Sequence, residues 1–211
     1  MPSPAGHLVA GVAIAWAAEA FQPLRPRVKN PGHSSAAAPV VTPLVLSCAA
    51  LALAPDFDIL LASHRTYTHS LGAVAVAALV GGAVARALRS PALATGLACG
   101  AAVASHILLD WLGHDGSPPI GLMAFWPLTS SWAYSGIDLF ADVSRRYWKP
   151  EEFILGNAIS IAREIAILGP VALAAYWLRQ RRATSLLNPE TAACPPRLKH
   201  RRPTERRNGA P

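Results

Sequence analysis

Residues 92–112 read ALATGLACGAAVASHILLDWL, an apolar run that contains one charged side chain, that of Asp110. At about 1.5 Å per residue, a helix of this length extends roughly 30 Å, the thickness of the hydrocarbon core of a bilayer. Its small residues, including Gly96 and Gly100, permit close approach of a second helix where lipid gives no hydrophobic drive for association. The segment therefore predicts a membrane-spanning helix packed tightly against a neighbour.

Charged residues are also scarce in four other segments. Of the 211 residues, 52% are hydrophobic and 15% are charged, and the mean hydropathy is +0.30. A soluble domain usually carries about 25% charged residues. The composition therefore predicts an all-α, polytopic membrane helix bundle with about five membrane-embedded helices. The four other candidate helices cover residues 6–21, 36–55, 70–88 and 158–178.

The chain is predicted to divide into a membrane domain and a basic tail. The domain covers residues 1–180, and residues 181–211 are expected to be disordered because they are rich in proline and basic residues. Nine of the nineteen lysines and arginines lie in the last 33 residues, so the net charge of +7 belongs mainly to the tail. This distribution predicts contact with anionic lipid of the bilayer, and no nucleic-acid partner is expected.

The basic residues also predict the orientation in the membrane. If the N-terminus lies outside, fourteen lysines and arginines fall on the inner side and four on the outer side. The positive-inside rule favours this multi-pass arrangement in the inner (cytoplasmic) membrane, with the tail in the cytoplasm. Cysteine adds no constraint, because Cys48 and Cys99 lie in apolar segments and indicate no disulfide framework.

Histidines and aspartates stand at the ends of the apolar segments, on the face predicted to be outside. His106 and Asp110 are four residues apart and project from one side of their helix. Asp56 and Asp58 follow the second segment, and His69 begins the third. Such side chains are costly to desolvate beside lipid, and they are the ligand types that bind Zn²⁺ and similar ions. The polar set on this face is His7, Asp56, Asp58, His64, Arg65, His69, His106 and Asp110.

Each of these residues also has an ordinary structural explanation. His106 and Asp110 could make packing and interfacial contacts without a metal ion. Asp56 and Asp58 point to opposite sides if the chain is extended, so one would bind metal while the other supports a histidine or a second metal. Arg65 could hold a phosphate or carboxylate with two hydrogen bonds, or pair with Asp58. The convergence of eight polar residues on one face favours the metal site over these explanations.

A long connection covers residues 114–157. Its aromatic residues are of the kind that settle at the level of the lipid headgroups, and residues 136–146 are predicted to form an interfacial helix. Asp138 and Asp142 are explained equally well by solvation, and their roles, like that of His114, stay open. The charged residues of the fifth segment, which are expected to pair or to face the bundle, are Arg163 and Glu164.

The motifs form a recognisable order along the chain. After His7 they are Pro55-Asp56-x-Asp58, His64-Arg65-x-x-Thr68-His69-Ser70, His106-x-x-x-Asp110 and Trp126-Pro127. This order resembles the YdjM-type family of membrane-bound metal-dependent hydrolases, over most of the chain up to the fifth helix. The family is similar in ligand order to zinc-dependent phospholipase C and the P1-type nucleases. That likeness implies metal ligands at His7, Asp56, His69, His106 and Asp110, with further ligands or supporting groups at Asp58, His64 and His114.

The resemblance implies metal-assisted hydrolysis of an ester or phosphoester, with a divalent ion such as zinc. Asp58 or His64 would act as general base or orient it, and Arg65 would stabilise developing negative charge. His106 lies roughly 10 Å inside the end of its helix, which favours an amphiphilic, lipid-like substrate. The alternatives are a non-catalytic membrane metal-binding protein and an interaction scaffold. The sequence leaves open the substrate, the identity and number of metal ions, and the oligomeric state.

Overall fold

The computed structural model describes residues 1–22, 39–61 and 64–187, which form a bundle of five α-helices. These are α1 (Pro4–Phe21), α2 (Pro43–Leu53), α3 (Leu71–Ala87), α4 (Ala92–Leu112) and α5 (Asn157–Leu187). Apart from isolated β-bridges, the described part of the chain contains no β-structure, so the prediction of an all-α fold is confirmed. The segments containing α1, α2, α4 and α5 are long and apolar enough to cross a membrane, and α3 is a shorter apolar helix.

The predicted start of the second helix at residue 36 is wrong. Residues 39–42 are not helical, and α2 begins at Pro43, while residues 36–38 lie outside the described part. Proline fits the first turn because its missing N–H has no partner there in any helix. The Thr42 side chain caps the same turn by accepting a hydrogen bond from the Val45 N–H at 3.2 Å. A local capping signal therefore overrides the longer apolar run.

The α3 and α4 helices form an antiparallel hairpin, with glycines at the contact between them, which agrees with the predicted close packing of residues 92–112 against a neighbour. A Cβ atom added to Gly96 would lie 2.6 Å from the backbone carbonyl oxygen of Ala78, so no larger residue fits there. On the outside of the hairpin, Leu79 and Leu93 are 74% and 77% exposed. Large apolar side chains in such positions are typical of a surface that faces lipid. The helix α1 packs against α2, α4 and α5 and so occupies the middle of the bundle.

The predicted interfacial helix at residues 136–146 is wrong, because this segment has no helical structure and hydrogen-bonds to the end of α4. The Leu139 N–H donates to the Leu112 carbonyl at 2.7 Å, and the His114 N–H donates to the Phe140 carbonyl at 2.9 Å. Backbone groups committed to these long-range bonds are not available for a helical ladder. A short helical turn, Glu151–Gly156, then leads into α5.

The fifth helix is longer than predicted. It runs through Leu187, past the expected beginning of the tail at residue 181, and the remainder of the predicted tail, residues 188–211, lies outside the described part. At this end of the bundle, Arg179 Nε lies 2.6 Å from Glu19 Oε2, and Arg179 also donates to the Pro39 carbonyl at 2.7 Å. This buried ion pair connects α5 to α1 at the end opposite the predicted site.

Candidate metal centre

Four of the five predicted metal ligands come together at one end of the bundle. Each offers one ligand atom, and these atoms all lie within 4.8 Å of one another. The Nε2 atoms of His69 and His106 are 3.1 Å apart. Asp110 Oδ2 lies 3.4 Å from the first of these nitrogens and 3.2 Å from the second. The group, called the four-ligand cluster below, is Asp56, His69, His106 and Asp110.

Three separate elements supply the cluster. Asp56 lies in the 3₁₀ segment Ala54–Leu61 that follows α2, and His69 ends the short 3₁₀ turn before α3. His106 and Asp110 are one turn apart in α4, as their spacing predicts. Asp56 and Asp58 both belong to this 3₁₀ segment, so the condition of an extended chain, which the sequence left open, is not met.

Both cluster histidines are held from behind through their Nδ1 atoms. His106 Nδ1 lies 2.7 Å from the Ala52 carbonyl oxygen, to which it donates a hydrogen bond. His69 Nδ1 lies 3.1 Å from Asp58 Oδ2. A proton on each Nδ1 leaves each Nε2 with a free lone pair directed into the cluster. Metal-binding histidines are commonly oriented in this way, by a carboxylate or a carbonyl on the other ring nitrogen.

His7, the fifth predicted ligand, lies beside the cluster. Its ring stacks on that of His106 with 3.9 Å between centroids, and its Nε2 lies 3.4 Å from Asp110 Oδ1. Within the described part of the chain, neither ring nitrogen of His7 and neither carboxylate oxygen of Asp110 has a hydrogen bond of acceptable geometry. These residues are only 1% and 2% exposed. Buried polar atoms are rarely left without partners, and a cation between these residues would provide a partner for His7 Nε2 and for the Asp110 carboxylate.

The electrostatics of the cluster also favour a cation. Burial by itself would lower the pKa of His69, but the nearby carboxylates of Asp110, Asp56 and Asp58 outweigh it and raise the pKa to about 10. Three carboxylates thus surround one imidazole in a place where positive charge is strongly stabilised. A divalent ion supplies such charge while leaving the imidazole neutral and able to bind it.

Asp58 organises a second group of side chains next to the cluster. Its Oδ1 lies 2.6 Å from His64 Nδ1, and its Oδ2 accepts a hydrogen bond from the Arg65 N–H at 3.1 Å. The Thr68 hydroxyl also donates to Oδ2. Asp58, His64 and His69 make up a further set of ligand atoms close enough to hold an ion. Asp58 therefore lies where it supports a histidine, which was one of the two alternatives that the sequence left open.

The Arg65 guanidinium does not pair with Asp58, which was one of the two alternatives that the sequence left open. Its Nη1 pairs instead with the buried carboxylate of Asp115, and its Nη2 donates to the Ser117 carbonyl at 2.9 Å. Asp115 is fixed in turn by the Gly121 N–H, which donates to Oδ2 at 2.6 Å. Sequence reasoning missed Asp115, because no spacing rule connects two residues that are fifty positions apart.

Glu164 was also missed as a residue that shapes the site. It is 1% exposed and accepts a hydrogen bond from the Ser3 N–H at 2.7 Å and another from the Ser3 hydroxyl. It therefore faces the bundle, whereas Arg163 donates to the Asp138 carbonyl at 3.3 Å. Glu164 ties α5 to the first turn of α1, which carries His7. Glu164 is the one acidic residue of α5, and this was the signal available in the sequence.

A family model for the YdjM inner membrane protein matches residues 1–183. The chain belongs to the YdjM inner membrane protein family. The match includes α1 to α4, most of α5 and every residue of the four-ligand cluster. No curated protein and no solved structure matches the chain. Membership of the YdjM family agrees with the predicted inner-membrane location and with the apolar helices of the bundle.

Three polar residues of unassigned role lie apart from the cluster in this YdjM protein. The exposed His114 Nδ1 lies 3.0 Å from Asp138 Oδ2, and the Tyr134 hydroxyl donates to the same carboxylate. The bonds from Tyr134 and then His114 lower the pKa of Asp138. Asp142 pairs with the amino group of Met1 at 3.0 Å. These contacts connect residues 134–142 to the beginning of α1 and to the end of α4.

Proposed function

We propose that this YdjM family member is a membrane-bound metal-dependent hydrolase. The ion, zinc by ligand type, would be held by the four-ligand cluster with His7 as an additional ligand. The observation that carries the proposal is the buried Asp110 carboxylate, which has three imidazoles around it and whose two oxygens have no hydrogen-bond partner among the described residues. Neutral imidazoles and carboxylates at one point are the donor set of catalytic zinc sites.

Different residues of the chain have separate roles in the proposed hydrolysis. When bound, the ion supplies positive charge that polarises an ester or phosphoester oxygen and makes water more acidic. Asp58 holds His69 in place, and His64 Nε2, which has no hydrogen-bond partner in the described part of the chain, is available to accept a proton. The Nε of Arg65 is equally unpartnered and supports its proposed role of stabilising negative charge.

The substrate class follows from the position of the centre between apolar helices. The Asp56 side chain is 33% exposed, so the four-ligand cluster can be reached from outside the bundle. The exposed leucines of the hairpin favour a surrounding bilayer. A substrate with an ester or phosphoester group on an apolar body would present its polar end at this depth. The positive-inside rule supports a site on the outer face and a tail in the cytoplasm.

Metal analysis of the detergent-purified protein tests the proposal most directly. We expect the wild-type protein to retain about one equivalent of zinc or manganese per four-ligand cluster. We expect His69→Ala to lose this metal. His114→Ala is the matched control, because this histidine also pairs with a carboxylate but lies outside the cluster. Wild-type protein that binds no divalent ion would contradict the metal centre.

Activity is tested separately, by release of headgroup or phosphate from mixed-lipid micelles. Hydrolysis that depends on added Zn²⁺ or Mn²⁺ and is absent in His69→Ala would support the hydrolase. If the wild type is fully metallated and inert on every lipid and phosphoester, the protein is a non-catalytic metal-binding or scaffold protein instead.

A further inference from the structure

A cleft of about 1090 Å³ adjoins the four-ligand cluster. Asp56, His64 and Arg65 form part of its wall on the cluster side. Residues 142–147, the helical turn before α5 and the first residue of α5 form another part of the wall. Ligand pockets are commonly about 300–1,000 Å³, so the cleft has room for a headgroup and part of an apolar chain.

The wall of the cleft contains an arginine that pairs with no carboxylate. Of the four carboxylates in the wall, Asp56 belongs to the four-ligand cluster and the other three are paired with cations of the same wall. The pairs are Arg65–Asp115, Met1–Asp142 and Arg146–Glu152. Lys149 lies 2.7 Å from Glu152, although it does not line the cleft. Glu152 is therefore paired with two cations. Arg145 lines the cleft and, among the described residues, its guanidinium makes no hydrogen bond or ion pair. A ligand that carries negative charge is therefore favoured.

Arg65 provides independent evidence for such a ligand. Its side chain is only 9% exposed, and two of its nitrogens are held by Asp115 and the Ser117 carbonyl. Its Nε is buried and has no partner within the described part of the chain. A buried N–H of a fixed guanidinium normally has an acceptor, and a phosphate oxygen is the acceptor that arginine binds best.

The part of the cleft wall around Phe153 is apolar and leads towards the membrane. Phe153 lines the cleft and is 40% exposed, and the next residues, Ile154 and Leu155, are 68% and 63% exposed. They belong to the candidate membrane span Glu151–Ser185. Tyr147, 75% exposed, lies at the same edge and is of the amphipathic aromatic type found at headgroup level. An apolar chain leaving the cleft past Phe153 would therefore enter lipid.

We propose that this cleft binds a lipid with a net anionic phosphate headgroup, with Arg145 and Arg65 on the phosphate and Phe153 beside the apolar chain. The inference rests on the proposed function, since it names the substrate class of the same centre. Arg145 becomes a residue that determines specificity for the headgroup, a role that its sequence context does not indicate.

Binding of dodecylphosphonate to the full-length, detergent-purified protein tests the inference. This probe carries an anionic headgroup on an aliphatic chain, and its C–P bond resists hydrolysis. Dodecylphosphocholine has the same chain with no net charge, and methylphosphonate has the headgroup without the chain. We expect dodecylphosphonate to bind at least about tenfold more tightly than either, and Arg145→Ala to weaken it roughly tenfold. Lys149→Ala is the matched control and should bind like wild type.

The possible results separate this inference from the proposed function. Equal binding of dodecylphosphonate and dodecylphosphocholine, or no effect of Arg145→Ala, would overturn the anionic headgroup. Binding of methylphosphonate as tight as that of dodecylphosphonate would show that the ligand is a soluble phosphate and would overturn the lipid. If binding depends on Arg145 while metallated protein hydrolyses nothing, only the hydrolase fails. If the protein is an active hydrolase and Arg145→Ala binds dodecylphosphonate as tightly as wild type, only the present inference fails.

Discussion

Asp58 Oδ2 lies 3.1 Å from His69 Nδ1, and Asp58 Oδ1 lies 2.6 Å from His64 Nδ1. One buried carboxylate thus holds two imidazoles, of which one belongs to the four-ligand cluster and the other lines the cleft. The orientation of a metal-binding histidine depends on the group behind it, so residues that never touch the ion can control its affinity.

Asp58→Asn is expected to weaken binding of zinc about 10- to 100-fold, because the amide makes a weaker and less directional contact with His69 Nδ1. The affinity would be measured by competition with a chromogenic chelator. Asp138→Asn is the control, since this exposed carboxylate also pairs with a histidine, His114, away from the cluster. Equal zinc affinity in Asp58→Asn and wild type would contradict the supporting role.

Asp110→Asn is expected to keep the fold and lose metal. The substitution is nearly isosteric, but a neutral amide stabilises a divalent charge far less than a carboxylate does. Retention of metal after dialysis and the circular-dichroism spectrum would be measured together. Asp142→Asn, which alters an exposed ion pair with the amino terminus, should retain metal as wild type does. Full metal retention in Asp110→Asn would exclude this carboxylate as a ligand.

Arg65→Lys is expected to retain metal and lose turnover. A lysine ammonium cannot keep the contacts to Asp115 and Ser117 while presenting a further N–H to substrate. Loss of a charge-assisted hydrogen bond of about 1.5–3 kcal/mol corresponds to a roughly 10- to 100-fold lower kcat/KM. Arg163→Lys, at an exposed arginine of α5, is the control. An Arg65→Lys enzyme with wild-type kinetics would remove Arg65 from the site.

Gly96→Ala tests the packing of α3 against α4. The added methyl would lie 2.6 Å from the Ala78 carbonyl oxygen, and overpacking of this kind typically costs about 1–3 kcal/mol. Gly169→Ala is the matched change inside α5, where the nearest atom would be 3.9 Å away. It should leave stability unchanged or raise it by up to about 1 kcal/mol, because alanine favours helix. The midpoint of thermal unfolding in detergent would be measured for both variants. Equal shifts in this temperature would contradict the close packing of α3 against α4.

Cysteine labelling in intact cells tests the proposed orientation. In a Cys194→Ser background, Ser130→Cys introduces a thiol in an exposed part of the loop near the metal centre, and Ser185→Cys introduces one at the opposite end of α5. We expect an impermeant maleimide to label the first without permeabilisation and the second only after it. The reverse pattern would place the metal centre on the cytoplasmic side.

The helices were the most predictable part of the protein. The bounds of α4 agree with the apolar segment at both ends, because a run of this length without charges is sufficient for a membrane helix. The start of α2 and the conformation of residues 136–146 were not predicted correctly. One depends on capping by Thr42 and the other on backbone bonds to the end of α4, and hydrophobicity reports neither of them.

The sequence alone determined which buried side chains require a polar or charged partner. His106 and Asp110 lie in an apolar helix, and their four-residue spacing puts them on one face whatever the rest of the chain does. Only the tertiary structure decided which residues those partners are. Arg65 meets Asp115 and Glu164 meets Ser3 across 50 and 161 positions. The cost of burying a charge or polar group is a local property of each residue, whereas the group that offsets it is set by the packing of distant helices.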